Sequence, residues 1–331
     1  MRDAPAVPEI AVMYLAHNRT RTHVVTQNIA HEILWRYREG VVGFDGETAA
    51  PGRLPLIAVT MDMRNHGERE VYAFTSPCIE LPADGVIDQC RCQSHLEGWQ
   101  RGPRVSAVMA FAPLGTRAPT NMVSRVDLVS IIDGCAQDLH LAMTYLPCCL
   151  SGVRIARNFV FGVSLGAHCA WRLPRVCRGP GSPAIDGMAL VVGCPDLAGL
   201  LLSRLGAELD KLTGGNVRAG QISYADLKAG TSEQQQRRWP EALHRIVAAG
   251  DDEVRTAFPL AGSAGRDGIR LLLFNGALDP LVPPRYTRDW VEAHGGESGG
   301  AIEFHVQDRT AHSCTKEMVA RTADWLRELV A

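Results

Sequence analysis

A serine between two glycines is the feature of this sequence that most directly suggests chemistry. Residues 162–166 read Gly-Val-Ser-Leu-Gly, with an apolar run before them and a helical pattern after them. In a tight turn from strand to helix, flanking glycines remove the Cβ atoms that would collide with neighbouring elements, and the serine oxygen projects beyond the sheet. Such a serine can attack a carbonyl carbon, so Ser164 is the candidate nucleophile. The alternative is a glycine-rich turn with an idle serine.

The nucleophile needs a base, because a serine hydroxyl is weakly nucleophilic at neutral pH. Five histidines follow Ser164 in the chain, at positions 168, 244, 294, 305 and 312. His312 lies in a polar loop between the last predicted strand and the last predicted helix, where a loop can bring an imidazole to the sheet edge. His168 lies one helical turn after the serine, which is the wrong geometry for its base. We therefore predict His312 as the base.

The acid of such a site follows a strand that lies between the serine and the histidine in the sequence. Asp279 fits this position, since it follows the apolar run 269–274 and precedes Pro280. A buried carboxylate there would orient the imidazole of His312 and stabilise its protonated form. Two alternatives stay open: Asp279 as a turn residue that caps the next helix, and Asp196 as the acid.

Strands and helices alternate along most of the chain, which predicts a mostly parallel sheet of about six strands with helices on both faces. Six apolar runs have the length of strands, at 10–15, 54–61, 154–163, 185–192, 269–274 and 302–306. The pattern predicts a core formed by residues 1–195 and 266–331, with an irregular insertion at 77–120. Residues 196–265 have only helical patterns and predict a helical cap.

Composition excludes several classes of function. The net charge is -2 and the arginines do not cluster with aromatic residues, which argues against nucleic-acid binding. No apolar run approaches the roughly 20 residues of a membrane span, and the first residues do not resemble a signal peptide. We therefore expect a cytoplasmic protein without membrane contact. The 10 cysteines lack C-x-x-C spacing, which indicates buried thiols instead of a structural zinc site.

Several motifs together resemble the α/β-hydrolase superfamily. Beside the serine motif, these are Asp-Met-Arg-Asn-His-Gly at 62–67, Gly-Cys-Pro-Asp at 193–196, Gly-Ala-Leu-Asp-Pro-Leu-Val-Pro at 276–283 and His-Ser-Cys-Thr-Lys-Glu-Met at 312–318. The chain is similar to the dienelactone-hydrolase-like and prolyl-oligopeptidase-like esterase branch, and to a group of hydrolases common in fungi. The resemblance covers nearly the whole chain except 77–120 and parts of 196–265. It implies the α/β-hydrolase fold.

The resemblance also implies an oxyanion hole. The N–H of Leu165 lies at a helix N-terminus, where it is free to bind a developing oxyanion. The family places a second donor after the first strand, usually in a His-Gly-x sequence. Here His17, Asn18 and Arg19 occupy that position, so the Arg19 amide matches the donor and His17 and Asn18 are predicted to contact substrate. The Arg19 side chain could instead recognise a substrate carboxylate, or lie free in solvent.

The expected activity is hydrolysis of a small carboxylic ester or thioester through an acyl-enzyme at Ser164, as in carboxylesterases and thioesterases. No cofactor and no metal is expected, and residues 196–265 would shape an apolar acyl pocket. Two alternatives stay open. One is a lyase, cyclase or carbon–carbon hydrolase that acts on a biosynthetic intermediate, and the other is a catalytically silent ligand-binding module. The expected partner is the small-molecule substrate; the oligomeric state is open, with a homodimer among the options.

Overall fold

The computed structural model describes most of the chain outside the predicted insertion. The described residues are 7–19, 21–39, 54–64, 66, 108–111, 125–208, 221–256, 258–261, 268–295 and 300–330. The predicted irregular insertion at 77–120 lies outside these residues except for 108–111.

A parallel sheet of seven strands forms the centre of the structure, in the order β3-β2-β1-β4-β5-β6-β7. The strands are β1 (Glu9–Ala16), β2 (Leu56–Met61), β3 (Val108–Phe111), β4 (Arg154–Val163), β5 (Gly187–Val191), β6 (Arg270–Gly276) and β7 (Ile302–Gln307). The observed sheet therefore has one strand more than the six that the sequence predicted. The additional strand β3 lies in the segment predicted to be irregular, and its four residues are too few for a clear pattern.

Nine helices connect or follow these strands in the described part of the chain. They are α1 (His23–Glu39), α2 (Arg125–Cys149), α3 (Leu165–Val176), α4 (Leu197–Ser203), α5 (Tyr224–Ala229), α6 (Glu233–Arg238), α7 (Glu241–Thr256), α8 (Arg285–Gly295) and α9 (Lys316–Leu329). None of these described helices is long and apolar enough to cross a membrane.

The two faces of the sheet pack against different helices, as the alternation of β1 shows. Val12 and Tyr14 belong to the core that contains α2, α3 and α7, whereas Met13 and Leu15 belong to the core that contains α1 and α9. Successive side chains of a strand point to opposite faces, so a strand buried on both faces is apolar throughout. The prediction of a parallel sheet covered on both faces is confirmed.

The strand order reverses direction between β1 and β4. The chain runs from β1 to β2 and β3 on one side, then returns to place β4 against the other side of β1. In open α/β sheets, ligands bind at the carboxyl ends of the strands at such a switch point. Ser164 immediately follows β4, so the fold places the candidate nucleophile at this point.

The described part of residues 196–265 consists of helices joined by loops. The segment contains α4, α5, α6 and α7, followed by one isolated bridge between Leu260 and Ile269. Leu200 from α4 and Val247 from α7 are buried in the same core as α3. The helical character expected from the sequence is therefore observed, and the division into a core and a cap stays a prediction.

Candidate active site

Ser164 has an unusual backbone conformation at the turn between β4 and α3. Its φ is 52° and its ψ is -108°. A positive φ is strained for a residue with a Cβ, so neighbouring hydrogen bonds must hold it. The Ser164 N–H donates to the Val191 carbonyl at 2.8 Å, and the His168 N–H donates to the Ser164 carbonyl at 3.0 Å. The end of β5 and the first turn of α3 therefore fix the position of the serine.

The two glycines of the serine motif are required by close packing. A Cβ atom on Gly166 would lie 2.2 Å from the Ala16 carbonyl oxygen, and one on Gly162 would lie 2.6 Å from the Gly166 carbonyl oxygen. Real Cβ atoms do not approach backbone oxygens this closely. The sequence-based explanation of the motif, that side chains here would collide with the neighbouring strand and helix, agrees with this geometry.

The structure brings Ser164, His312 and Asp279 into one line of hydrogen bonds. His312 Nε2 lies 2.8 Å from Ser164 Oγ, and His312 Nδ1 lies 2.7 Å from Asp279 Oδ2. With the proton on Nδ1 donated to the carboxylate, Nε2 accepts the serine hydroxyl. These three side chains come from the ends of β4 and β6 and from the loop after β7, as the sequence order predicted.

Both carboxylate oxygens of Asp279 accept hydrogen bonds. Its Oδ1 atom accepts the N–H groups of Leu281 and Val282 at 2.8 and 2.9 Å, while Oδ2 faces His312. Its side chain is fully buried. Three hydrogen bonds therefore fix the position of this carboxylate.

The alternative acid and the other histidines have different roles. Asp196 Oδ1 accepts the Gly199 N–H at 2.8 Å and caps α4, so it serves the helix and not His312. His168 Nδ1 lies 3.1 Å from the Cys194 carbonyl oxygen. Burial, reinforced by the nearby positive charge of Arg204, lowers the pKa of His168 to about 3 and keeps this ring neutral. His244 bonds Trp239 and the Ile222 carbonyl within the helical segment.

The backbone amides of Leu165 and Arg19 are the predicted oxyanion donors. The Gly166 N–H donates to the His17 carbonyl at 3.1 Å, which ties the loop after β1 to the start of α3. Within the described part of the chain, the Leu165 N–H has no acceptor and is free to bind an oxyanion. Arg19 is exposed in the turn after β1. The donor roles of both amides stay predictions.

His17 does not have the substrate-binding role that the sequence predicted. It is completely buried, its Nδ1–H donates to the Asn18 carbonyl at 2.8 Å, and its Nε2 accepts the Met63 N–H at 3.0 Å. Burial lowers the pKa of His17 to about 4, so the ring is neutral at pH 7. With both ring nitrogens engaged, His17 connects the loops after β1 and β2 and cannot bind substrate.

Asn18 stands where the family usually has glycine, and its backbone explains why this is tolerated. The described residues other than glycine that have positive φ are Ser164, Val192 and Arg309, so Asn18 is not left-handed. A glycine is therefore not required for the conformation of this turn. The predicted contact of Asn18 with substrate stays a prediction.

Asp62 is the first residue of the Asp-Met-Arg-Asn-His-Gly motif at 62–67, and its role is structural. Its side chain is fully buried and accepts the His23 N–H at 2.7 Å and lies 3.0 Å from His23 Nδ1. This carboxylate therefore caps the start of α1.

Sequence reasoning missed three residues near Ser164, His312 and Asp279. Leu278 and Leu281 flank Asp279 and are 66% and 51% exposed, which gives the loop an apolar surface. Arg204 reaches the same loop from the end of α4, where its guanidinium donates to the Leu281 carbonyl. The two leucines lie in the Gly-Ala-Leu-Asp-Pro-Leu-Val-Pro motif at 276–283, so the sequence could have indicated an apolar surface beside Asp279. Arg204 had no sequence signal.

Cysteines and other possible metal ligands do not form a metal centre in the part of the chain that the structure describes. No group of three or more His, Cys, Asp or Glu side chains there could hold a metal ion. No disulfide joins the cysteines in the described ranges, and burial raises the pKa values of Cys169 and Cys194. Buried thiols with raised pKa values are poor nucleophiles, so they do not compete with Ser164 as reactive groups.

Known proteins resemble the chain in structure and not detectably in sequence. No protein-family model matches it, and no curated protein matches its sequence. TT1662 from Thermus thermophilus is 14% identical, with 98% of this chain and 90% of that chain covered and a TM-score of 0.47. The Pyrococcus furiosus esterase Pf2001 is 13% identical, with 98% and 84% covered and a TM-score of 0.46.

A thioesterase gives a similar result. The RedJ thioesterase from the prodiginine biosynthetic pathway in Streptomyces coelicolor is 14% identical, with 98% of this chain and 90% of that chain covered and a TM-score of 0.38. Structural similarities with such low identities and TM-scores do not indicate a reaction or a substrate. Evidence for these must come from the residues of the site.

Proposed function

We propose that the chain is a serine hydrolase that cleaves small carboxylic esters or thioesters. The observation that carries this proposal is the unbroken line of hydrogen bonds from Ser164 Oγ through His312 to Asp279, with distances of 2.8 and 2.7 Å. A serine with a strained backbone, a half-buried imidazole and a buried carboxylate together have the properties of an activated nucleophile.

The first half of the reaction forms the acyl-enzyme. His312 Nε2 takes the proton of Ser164 as Oγ attacks the ester carbonyl carbon, and the carbonyl oxygen becomes an oxyanion. The Leu165 N–H and the Arg19 amide are the proposed donors to that oxyanion. His312 then gives its proton to the departing alkoxide or thiolate, and the bond from carbon to the leaving group breaks.

The second half releases the acid. A water molecule loses a proton to His312 Nε2 and attacks the acyl carbon, and the bond to Ser164 Oγ breaks as the proton returns to the serine. Asp279 keeps its negative charge throughout and stabilises the imidazolium of His312. The exposed Leu278 and Leu281 offer apolar surface beside this reaction centre, and the helical segment 196–265 is the proposed wall of the acyl pocket.

Labelling with a fluorophosphonate probe tests the proposed nucleophile. Peptide mass mapping should locate the adduct on Ser164, the Ser164→Ala variant should not react, and His312→Ala should react far more slowly. His305→Ala is the matched control, because His305 is exposed on β7 and pairs with Glu303. Absence of labelling in folded protein would exclude the activated serine and favour the binding module.

Product analysis in H₂¹⁸O separates hydrolysis from the lyase or cyclase alternative. Hydrolysis of an ester places one oxygen of solvent water in the released acid, since water attacks the acyl-enzyme. A lyase or cyclase leaves the product unlabelled. An unlabelled acid or a cyclic product would therefore contradict the proposed reaction even if Ser164 is labelled by the probe.

A further inference from the structure

Strand β7 forms one edge of the sheet and pairs with β6 on its inner side. In the part of the chain that the structure describes, no strand pairs with its outer side. The strand contains neither proline nor lysine, and its register with β6 has no bulge. Prolines, lysines and bulges are common features that keep an edge strand from pairing with another chain. β7 therefore has the properties of a strand that can accept a partner.

The backbone of β7 directs hydrogen-bonding groups outward at every second residue. The carbonyls of Ala301 and Gln307, at the two ends of the strand, accept the N–H groups of Leu271 and Ala277 at 2.7 and 2.9 Å. The backbone groups of successive residues in a strand point to opposite sides, so the odd-numbered residues bond to the chain of β6. The residues whose N–H and C=O groups point away from the sheet are Ile302, Phe304 and Val306.

The two faces of β7 differ in chemistry, because successive side chains alternate between them. Ile302, Phe304 and Val306 form an apolar row on one face, where Ile302 and Phe304 pack against the core that contains α8. All three are still partly exposed. The other face carries Glu303, which is partly exposed, and His305, which is exposed. An apolar row of this kind gains free energy when a second strand covers it.

An antiparallel pair of two β7 strands would match both faces at once. If Phe304 lies opposite Phe304 of a second copy, then Ile302 faces Val306 and Glu303 faces His305. Apolar side chains meet each other on one face, and on the other a carboxylate meets an imidazole that can donate a hydrogen bond to it. The facing residues of the apolar row can also exchange backbone hydrogen bonds, because their N–H and C=O groups point outward.

Neighbouring registers are less favourable. A pair centred on Glu303 places two carboxylates directly opposite each other, and like charges in this position are destabilising. A pair centred on His305 places two imidazoles opposite each other and leaves Glu303 facing Gln307. The register centred on Phe304 is therefore the one that the side chains favour.

We propose that two copies of the chain associate through β7, in an antiparallel pair centred on Phe304 that joins their two sheets into one. The contact is the same surface on both copies, so a twofold axis closes it and β7 of neither copy stays exposed to a third. The interface concerns assembly, and it stands or falls independently of the proposed hydrolase reaction.

Charge variants test the register and leave the backbone in place. In Glu303→Lys the new lysine faces His305 of the second copy, and in His305→Glu the new carboxylate faces Glu303. Each variant alone should raise the dissociation constant of the dimer by about tenfold, because two facing pairs become unfavourable. In an equimolar mixture the new lysine faces the new carboxylate and Glu303 faces His305, so mixed dimers should form. Sedimentation velocity over a concentration series measures all three samples.

Two comparisons make the result specific to β7. Glu233→Lys is the matched control for charge, because Glu233 is an exposed glutamate on α6 that pairs with Arg237. It should dimerise like the wild type. Val306→Pro removes an outward N–H, whereas Val306→Thr keeps it with a side chain of similar shape. Proline is tolerated where the N–H faces away from the sheet, so both variants should fold and only the proline variant should lose the dimer.

Hydrogen exchange observed by NMR locates the contact. The outward amides of Ile302, Phe304 and Val306 should exchange rapidly in dilute wild-type protein and slowly in concentrated protein. The amides of Glu303 and His305 bond to β6, so their exchange should not depend on concentration in this way. A single-chain mass at every concentration would overturn the proposal. So would a dimer whose outward β7 amides exchange equally at low and high concentration, or a folded mixture of the two charge variants that forms no dimer.

Discussion

His312 Nδ1 lies 2.7 Å from Asp279 Oδ2, and the other oxygen of Asp279 is held by two backbone N–H groups. The carboxylate therefore cannot rotate away without breaking three hydrogen bonds. This geometry allows only the imidazole tautomer that carries its proton on Nδ1, which leaves Nε2 free to accept the proton of Ser164.

The Asp279→Asn variant should lose most of its activity while it stays folded. An amide in this position can donate to Nδ1 and so favours the wrong tautomer of His312, and it removes the charge that stabilises the imidazolium. We expect kcat to fall on the order of 10³- to 10⁴-fold with a small change in KM. Steady-state kinetics with an ester that releases 4-nitrophenol would measure both constants.

Asp196→Asn is the matched control for this experiment. Asp196 caps α4 through the Gly199 N–H, and asparagine caps helices nearly as well as aspartate. The variant should keep a kcat close to that of the wild type. A large loss in Asp196→Asn together with an active Asp279→Asn would identify Asp196 as the acid instead.

Gly166→Ala should destabilise the fold and damage the serine turn together. The new Cβ would meet the Ala16 carbonyl oxygen at 2.2 Å, so β1 or α3 must move. We expect the free energy of unfolding to fall by about 1–3 kcal/mol or more, as for other overpacked sites. Urea unfolding followed by circular dichroism measures this change.

Gly179→Ala provides the comparison for that substitution. Its Cβ would lie 3.5 Å from Ser182 Oγ, an ordinary contact, so no atoms need to move. Stability should stay within about 1 kcal/mol of the wild type, because alanine also restricts the unfolded chain. Equal losses in both variants would show that the close approach of α3 to β1 is not what requires glycine at 166.

The buried His17 should make the fold sensitive to mild acid. Burial lowers the pKa of His17 to about 4 from the ordinary 6.5, so the folded state resists a proton that the unfolded chain accepts. The stabilisation is complete above pH 6.5 and is lost as the pH falls toward 4. The loss is at most about 3 kcal/mol.

Unfolding free energies measured from pH 7 to pH 4 would test this dependence on His17. The loss between pH 6.5 and 4 should be smaller in His17→Gln than in the wild type. His31→Gln is the control, since His31 is exposed on α1. Identical pH curves for the wild type and His17→Gln would rule out the protonation of His17 as a cause of acid sensitivity.

The meeting of Ser164, Asp279 and His312 could be predicted because it depends on chain order alone. Parallel strands bring their carboxyl ends to one edge, so residues that follow β4, β6 and β7 must lie near each other. Ser164, Asp279 and His312 each follow one of these strands. The predicted helical character of 196–265 and the coverage of both sheet faces likewise follow from local periodicity.

The environment of single side chains could not be predicted in this way. In the sequence His17 resembles any loop histidine, but in the structure it is buried and accepts the N–H of Met63, which lies 46 residues away. Arg204 likewise reaches a carbonyl 77 residues away. Contacts between residues so far apart depend on how elements pack, which no local pattern records. Strand β3 was missed for a different reason, because four residues give no measurable period.

The buried pair of Arg172 and Asp251 should connect α3 firmly to α4 and α7. The Arg172 guanidinium donates to Asp251 Oδ1, and the Ala198 N–H at the start of α4 donates to Oδ2 at 2.7 Å. Removal of the carboxylate in Asp251→Ala leaves a buried guanidinium without its partner. We expect a loss of about 3–5 kcal/mol in the free energy of unfolding.

Replacement of the whole pair should cost less than removal of one partner. In Arg172→Met with Asp251→Leu, no charge stays buried, so most of the stability lost in Asp251→Ala should return. Arg175 of α3 is exposed and pairs with Glu253 of α7, so it serves as the control. Its Arg175→Gln variant should change stability by less than about 1 kcal/mol, as surface ion pairs do. If the double variant is as unstable as Asp251→Ala, the pair itself holds α4 in place and the effect is not one of an unpaired charge.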